Sequence, residues 1–214
     1  MEEMKGSDDG EIANERVEEE SKDVVEVESE YDDDLEADEA KAAKEEGNRL
    51  YGLGEWMSSI DSYTKALRCR KVDPNERAVY YCNRAAARLK ISDNEGVVSD
   101  CTKALKKRPD YEKALVRRKT AHVNLTNYGP ALDDAKELLK TARSSERTSY
   151  ISEISRLERL KLEKDEKQKQ EAIEQLKEVG NSFLGMFGMS VDNFKFEQDP
   201  GTGSYNVKFN QGGS

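Results

Sequence analysis

Lys44 and Asn48 stand four residues apart in this chain, and so do Lys113 and Arg117. Asn83 lies between the two pairs, so that Asn48, Asn83 and Arg117 recur at intervals of 35 and 34 residues. On a helix, residues four apart share a face. All five side chains are donors suited to carboxylate oxygens: an Asn amide donates without adding charge, a Lys ammonium is a mobile point charge, and an Arg guanidinium is a planar fork that reaches two oxygens. Asn is a mediocre helix former, so two of them in mid-helix are not the default choice for a surface. Other chemistry has little to work with. Cys69, Cys82 and Cys101 show no metal-ligand spacing and read as small buried apolar residues. The single histidine, His122, has no acid–base partner at a readable spacing, and no phosphate loop or nucleophile motif occurs. The expectation is a binding protein rather than an enzyme, with no metal and no cofactor.

The elements that must carry these residues emerge from the charge distribution. Residues 1–39 hold 19 acidic and 3 basic side chains, a net of −16, whereas residues 40–143 are net +8 and residues 144–214 net −2. The first stretch contains blocks such as Glu18-Glu19-Glu20 and Asp32-Asp33-Asp34 with Tyr31 as its sole aromatic, and is expected to be disordered, because it has too little apolar surface to offset the entropy of ordering. The basic middle is the natural home of an acidic ligand. A nucleic-acid reading of its Arg84, Arg88, Lys106, Lys107 and Arg108 lacks a stacking platform and is opposed by the acidic stretch. No signal-peptide core and no run long enough for a membrane span is visible, so the sequence predicts a soluble, cytoplasmic protein.

Internal repetition organises that middle. Thr64-Lys65-Ala66-Leu67 returns as Thr102-Lys103-Ala104-Leu105, and Asp100 and Asp134 are 34 residues apart. A period near 34 residues is that of the tetratricopeptide repeat, two antiparallel helices per unit. The spacing of 38 fits if the first unit has four extra residues near Arg70-Lys71-Val72-Asp73-Pro74. Gly47 and Ala85 supply the small residue of each first helix, and Lys119 departs from it with a stem able to snorkel. In the second helices Ser59, Tyr63 and Ala66, then Val97, Cys101 and Ala104, and more loosely Ala131, Ala135 and Leu138, match the packing positions; Pro109 closes the second unit. The units are set at 40–77, 78–111 and 112–145. Such an array needs an end cap. Residues 146–180 offer one, with Tyr150, Ile151, Ile154, Leu157 and Leu160 at helical spacing followed by a charged, solvated extension. Residues 181–214 interleave Phe, Met and Gly, then alternate apolar and polar residues on both sides of Asp199-Pro200-Gly201-Thr202-Gly203, which predicts a short hairpin. The expected fold is all-α: three repeats, a capping and extended helix, and a hairpin-like tail.

Lys44-Glu45-Glu46-Gly47-Asn48, Asn83-Arg84-Ala85-Ala86-Ala87 and Lys113-Ala114-Leu115-Val116-Arg117 resemble the carboxylate-clamp tetratricopeptide-repeat co-chaperones at all five clamp positions. The resemblance implies a partner: the Glu-Glu-Val-Asp C-terminal tails of heat-shock protein 90 and heat-shock protein 70. It also implies roles, with Lys44, Asn48 and Asn83 on the terminal carboxylate and Lys113 and Arg117 on the Asp side chain, while Leu50, Tyr51 and Ala86 are expected to seat the Val. The stretch Gly180–Lys195 with Asp199-Pro200 and Thr202-Gly203-Ser204-Tyr205 resembles the ending of one member of this family. That likeness implies links to small or heterotrimeric G proteins. A scaffold for another acidic or phosphorylated peptide is the alternative reading.

Overall fold

A computed structural model describes residues 31–32, 34–198 and 205–209. Among them seven α-helices run in order: α1 (Ala37–Leu53), α2 (Trp56–Arg68), α3 (Pro74–Lys90), α4 (Asn94–Lys107), α5 (Glu112–Asn124), α6 (Tyr128–Thr141) and α7 (Ser144–Gly185). Each helix packs on the next, and α3 also touches both α1 and α5. The first helices of the three pairs therefore form one wall of a helix-turn-helix solenoid. The core is built at the small-residue positions: Ala40, Ala66, Ala78, Cys82, Ala85, Val97, Cys101, Ala104 and Ala114 are buried in one cluster. Small residues let helix axes approach closely, which is what a two-layer array of short helices requires.

In the first helix pair the close approach falls at Gly47. A Cβ there would lie 2.7–3.0 Å from the ring of Tyr63 on α2, and the buried Ser59 hydroxyl donates to the Gly47 carbonyl at 2.8 Å. Turn chemistry sets the ends. Gly54 takes the left-handed φ of 80° that ends α1. Asp73 and Asp93 cap α3 and α4, accepting from Asn75 N at 2.8 Å and Gly96 N at 2.9 Å.

The two repeat junctions share one polar clasp. Arg84 donates to both carboxylate oxygens of Asp100 at 2.9 and 2.7 Å and to Thr64 Oγ1 at 2.9 Å. One unit later Arg118 does the same to Asp134 and Thr102. The returning Thr and Asp of the sequence are thus the two acceptors of a guanidinium that ties one unit to the next.

Four expectations are corrected. Order begins before residue 40: Asp32 N bonds to Arg68 O, Leu35 is buried, and α1 starts at Ala37 behind a capping box between Glu36 and Glu39. Disorder was expected for the whole of 1–39; residues 1–30 and Asp33 lie outside the described residues. The four extra residues of the first unit, expected near residues 70–74, fall slightly later, as an added first turn of α3, Pro74–Arg77, favoured by Pro at the first helical position. Its Arg77 is buried and donates to the Leu67 and Cys69 carbonyls. Lys119 does not snorkel into water; its ammonium meets Glu153 of α7 at 2.5 Å. In the cap, Leu157 is buried against Ala131, Leu132 and Ala135 with Ile154 beside it, whereas Ile151 is exposed.

The helix α7 is continuous over 42 residues, joining the expected cap, the extension and residues 181–185. Beyond it a short 3-10 turn (Val191–Asn193) leads into an antiparallel pair, β1 (Phe194–Gln198) and β2 (Tyr205–Phe209), in register Phe194 to Phe209. The residues linking the strands lie outside those described. Among the described residues no helix is long and apolar enough to cross a membrane.

Candidate peptide-binding groove

Asn48, Asn83 and Arg117, carried by α1, α3 and α5, line one recess of about 240 Å³ on the first-helix wall. Tyr51, Tyr63 and Ala86 complete it. Lys44 and Lys113 do not line this recess; each stands one helical turn before Asn48 or Arg117. The structure thus gathers three of the five expected residues in the recess and leaves the two lysines outside its lining.

The amides are held by a chain of hydrogen bonds. Tyr63 Oη donates to Asn48 Oδ1 at 2.7 Å, and Asn83 Nδ2 donates to the same oxygen at 3.2 Å. With its acceptor doubly occupied, Asn48 is left its Nδ2 as a donor, and Asn83 keeps a second N–H. Burial pushes the Tyr63 phenol above its ordinary pKa, so it remains a neutral donor to Asn48. Tyr63 was legible as a packing residue, but its role in orienting Asn48 was not, since nothing in sequence spacing tells which way a phenol points.

Arg117 is fixed from beneath. Its Nη1 donates to the Cys82 carbonyl at 3.2 Å and reaches Cys82 Sγ at 2.6 Å. Beside it Tyr111, the residue preceding α5, has its phenol pushed up to about 12 by burial and then by the neighbouring Cys82 thiol. The remaining N–H groups of Arg117 are a pre-set fork on a recess that also holds two amides. Lys113 is exposed and makes no hydrogen bond or ion pair among the described residues. Lys44 has Glu45 at 4.0 Å, a weak surface pair. Of the apolar residues expected to seat a side chain, Tyr51 and Ala86 line the recess, and Leu50 is instead buried. Tyr51 itself packs edge-on against Trp56 with ring centroids 4.9 Å apart.

The chemistry available in the recess is therefore anion capture by fixed amides and a guanidinium. The three cysteines are free and buried, and burial raises the Cys101 thiol far above its ordinary range.

No protein-family model matches the chain. Among curated proteins, it is 39% identical over 98 residues to mitochondrial import receptor subunit TOM70 of Homo sapiens, a match covering 45% of this chain and 16% of that protein. The crystal structure of yeast Tom70 superposes with a TM-score of 0.55 at 30% identity, over 63% of this chain and 27% of that one. The first TPR domain of Spaghetti (RPAP3), solved bound to the HSP90 peptide SRMEEVD, superposes with a TM-score of 0.50 at 26% identity, over 58% of this chain and 94% of that domain. The chain spans between 16% and 33% of the length of the curated relatives that it matches. With the paired helices, the repeated packing positions and these likenesses, the chain carries a tetratricopeptide-repeat domain of three units.

Proposed function

We propose that the groove of α1, α3 and α5 binds the C-terminal end of an acidic peptide, and that the chain is a cytoplasmic, non-enzymatic co-chaperone adaptor. The carrying observation is the recess that brings Asn48, Asn83 and Arg117 together, with Lys44 and Lys113 four residues before Asn48 and Arg117 on the same helices. Asn48, Asn83 and Lys44 take the terminal carboxylate; Arg117 and Lys113 take the second carboxylate of a terminal Asp. The ligand class is the tail of heat-shock protein 90 or 70, a reading supported by the likeness to a domain solved with the peptide SRMEEVD. Charge-assisted bonds contribute roughly 1.5–3 kcal/mol each. Several of them, less the cost of ordering a flexible tail, fit an affinity near the micromolar range, about −8 kcal/mol. The G-protein link implied by the sequence resemblance has no counterpart among the groove residues and stands outside this proposal.

Calorimetry of the full chain with SRMEEVD tests it. Lys113→Glu, which leaves every described hydrogen bond intact, should abolish binding by setting carboxylate against carboxylate. Asn83→Ala should weaken it by about 1–3 kcal/mol, the range for removing one hydrogen-bonding partner. Binding that survives Lys113→Glu undiminished refutes the clamp. Retention of full affinity by a C-terminally amidated peptide would favour the scaffold for internal acidic or phosphorylated peptides instead.

A further inference from the structure

The first repeat junction carries a second recess, of about 340 Å³, on the other side of the array. Its α3 lining is Tyr81, Arg84 and Arg88. At about 100° per residue these lie on the face of α3 roughly opposite the groove residues Asn83 and Ala86. Arg68 of α2 and Lys103 of α4 bring the cations among the described lining residues to four, with the carboxylate of Asp100 in the lining and that of Asp93 beside Arg88.

The Asp100 carboxylate is already spoken for by the Arg84 clasp. Arg88 donates from Nη1 to the Gly96 carbonyl, but its Nε is buried without a hydrogen-bond partner, 3.5 Å from the nearest oxygens of Asp93 and Asp100. Lys103 rests over the Tyr81 ring at 5.6 Å, and the Arg68 side chain is exposed at the rim.

The second junction shows which parts the fold requires. Its clasp of Arg118, Asp134 and Thr102 is the same. The residues that stand where Arg88, Ser99 and Lys103 stand are His122, Asp133 and Glu137, each 34 positions on, so the sign of the charge reverses. The clasp is architecture; the concentration of cations at the first junction is not.

We propose that this recess is a binding site for a phosphoryl dianion, either free or carried on a phosphorylated side chain. The four lining cations come from three helices, and among the described residues they meet two carboxylates, Asp100 and Asp93. A phosphoryl group brings close to two charges and three acceptor oxygens, and guanidinium forks match its geometry. The Ser99 hydroxyl in the lining is a further donor. An extended polyanion is not favoured, because the adjoining junction is acidic.

The test is an amide-resolved NMR titration of the full chain with inorganic phosphate, and separately with phosphoserine, at fixed ionic strength. Saturable shifts at Arg68, Arg88, Ser99 and Lys103, without equal shifts at His122, Asp133 and Glu137, are the expected result. The double variant Arg68→Gln/Lys103→Gln, checked for unchanged helicity, should weaken this response by about tenfold or more, the effect of losing one charge-assisted bond. Lys113→Glu should leave it unchanged, which separates this site from the groove. Tighter binding of phosphoserine assigns the source to a modified polypeptide, and equal affinity assigns the free anion. Shifts that do not saturate, shifts shared by the second junction, or an affinity indifferent to the double variant overturn the proposal.

Discussion

Gly47→Ala sets two effects of opposite sign against each other. Mid-helix, the exchange gains about 1 kcal/mol of helix propensity. The new Cβ, however, would lie 2.7, 2.8 and 3.0 Å from Cε1, Cδ1 and Cζ of Tyr63, where carbon atoms rest at about 3.5–4.0 Å. Tyr63 is 2% exposed and tied at its far end to Asn48, so the ring has little room to retreat. Overpacking of this kind costs roughly 1–3 kcal/mol, and a lost Tyr63–Asn48 bond about 1 kcal/mol more. The steric cost wins, and a net destabilisation of about 1–3 kcal/mol is expected. Urea unfolding followed by helicity measures it. In a Tyr63→Leu background the same exchange should cost less, because the ring it strikes is gone. Peptide affinity should fall in Gly47→Ala as well, since the displaced phenol no longer fixes Asn48. A variant as stable as the parent, or an equal cost in both backgrounds, would refute the reasoning.

Two further outcomes are expected. Asp100→Ala removes the two-oxygen acceptor of Arg84, whose side chain is 11% exposed, and should cost about 3–5 kcal/mol by denaturant unfolding; Asp134→Ala should cost less, because its partner Arg118 is 23% exposed and, among the described residues, no second arginine leans on that carboxylate. His122 is held below its ordinary pKa chiefly by burial, with Asp134 opposing the shift and Arg118 adding to it, so the unfolded chain takes up a proton that the folded chain refuses. Its contribution to stability is full above the ordinary imidazole pKa and is lost as pH falls toward the folded value. Urea midpoints should therefore drop more between pH 7.5 and 5.5 in the parent than in His122→Gln.

The solenoid was legible because each unit repeats the same steric demand. A small residue where helices cross leaves its mark at Gly47 and Ala85, and again at Ser59, Ala66 and Ala104, wherever the chain begins the next unit. Position along a helix was enough to place Asn48, Asn83 and Arg117 on one wall. What spacing could not convey was what lies beneath them. The Tyr63 phenol, the Cys82 carbonyl and the doubly used oxygen of Asn48 depend on side-chain torsions and on close packing across helices. The clasp was half visible: Thr and Asp returned at repeat spacing, but Arg84 read only as one member of a basic cluster, because its acceptors lie on two other helices. Lys119 was misjudged for the same reason, its acid being 34 residues away on α7.

The length of α7 has a mechanical consequence. At about 1.5 Å per residue its 42 residues span about 60 Å. Its attachment to the repeats reaches Lys164, which donates to the Thr126 carbonyl at 2.8 Å. The next 21 residues, to Gly185, carry the chain about 30 Å further. Ion pairs one turn apart, Lys161 to Asp165 and Lys167 to Glu171, brace the point of departure. At the far end the Asn181 side chain accepts from Val191 N at 2.7 Å and from Ser190 Oγ at 3.0 Å, so the turn that leads into β1 is bolted to the tip. A flexible tether of the same number of residues would have an r.m.s. reach of about 25 Å but would sample every distance down to contact. A helical strut removes the short distances. Whatever engages the hairpin is held at arm's length from the third repeat, and the spacing is set by counting turns of helix rather than by chance encounters of a loose chain.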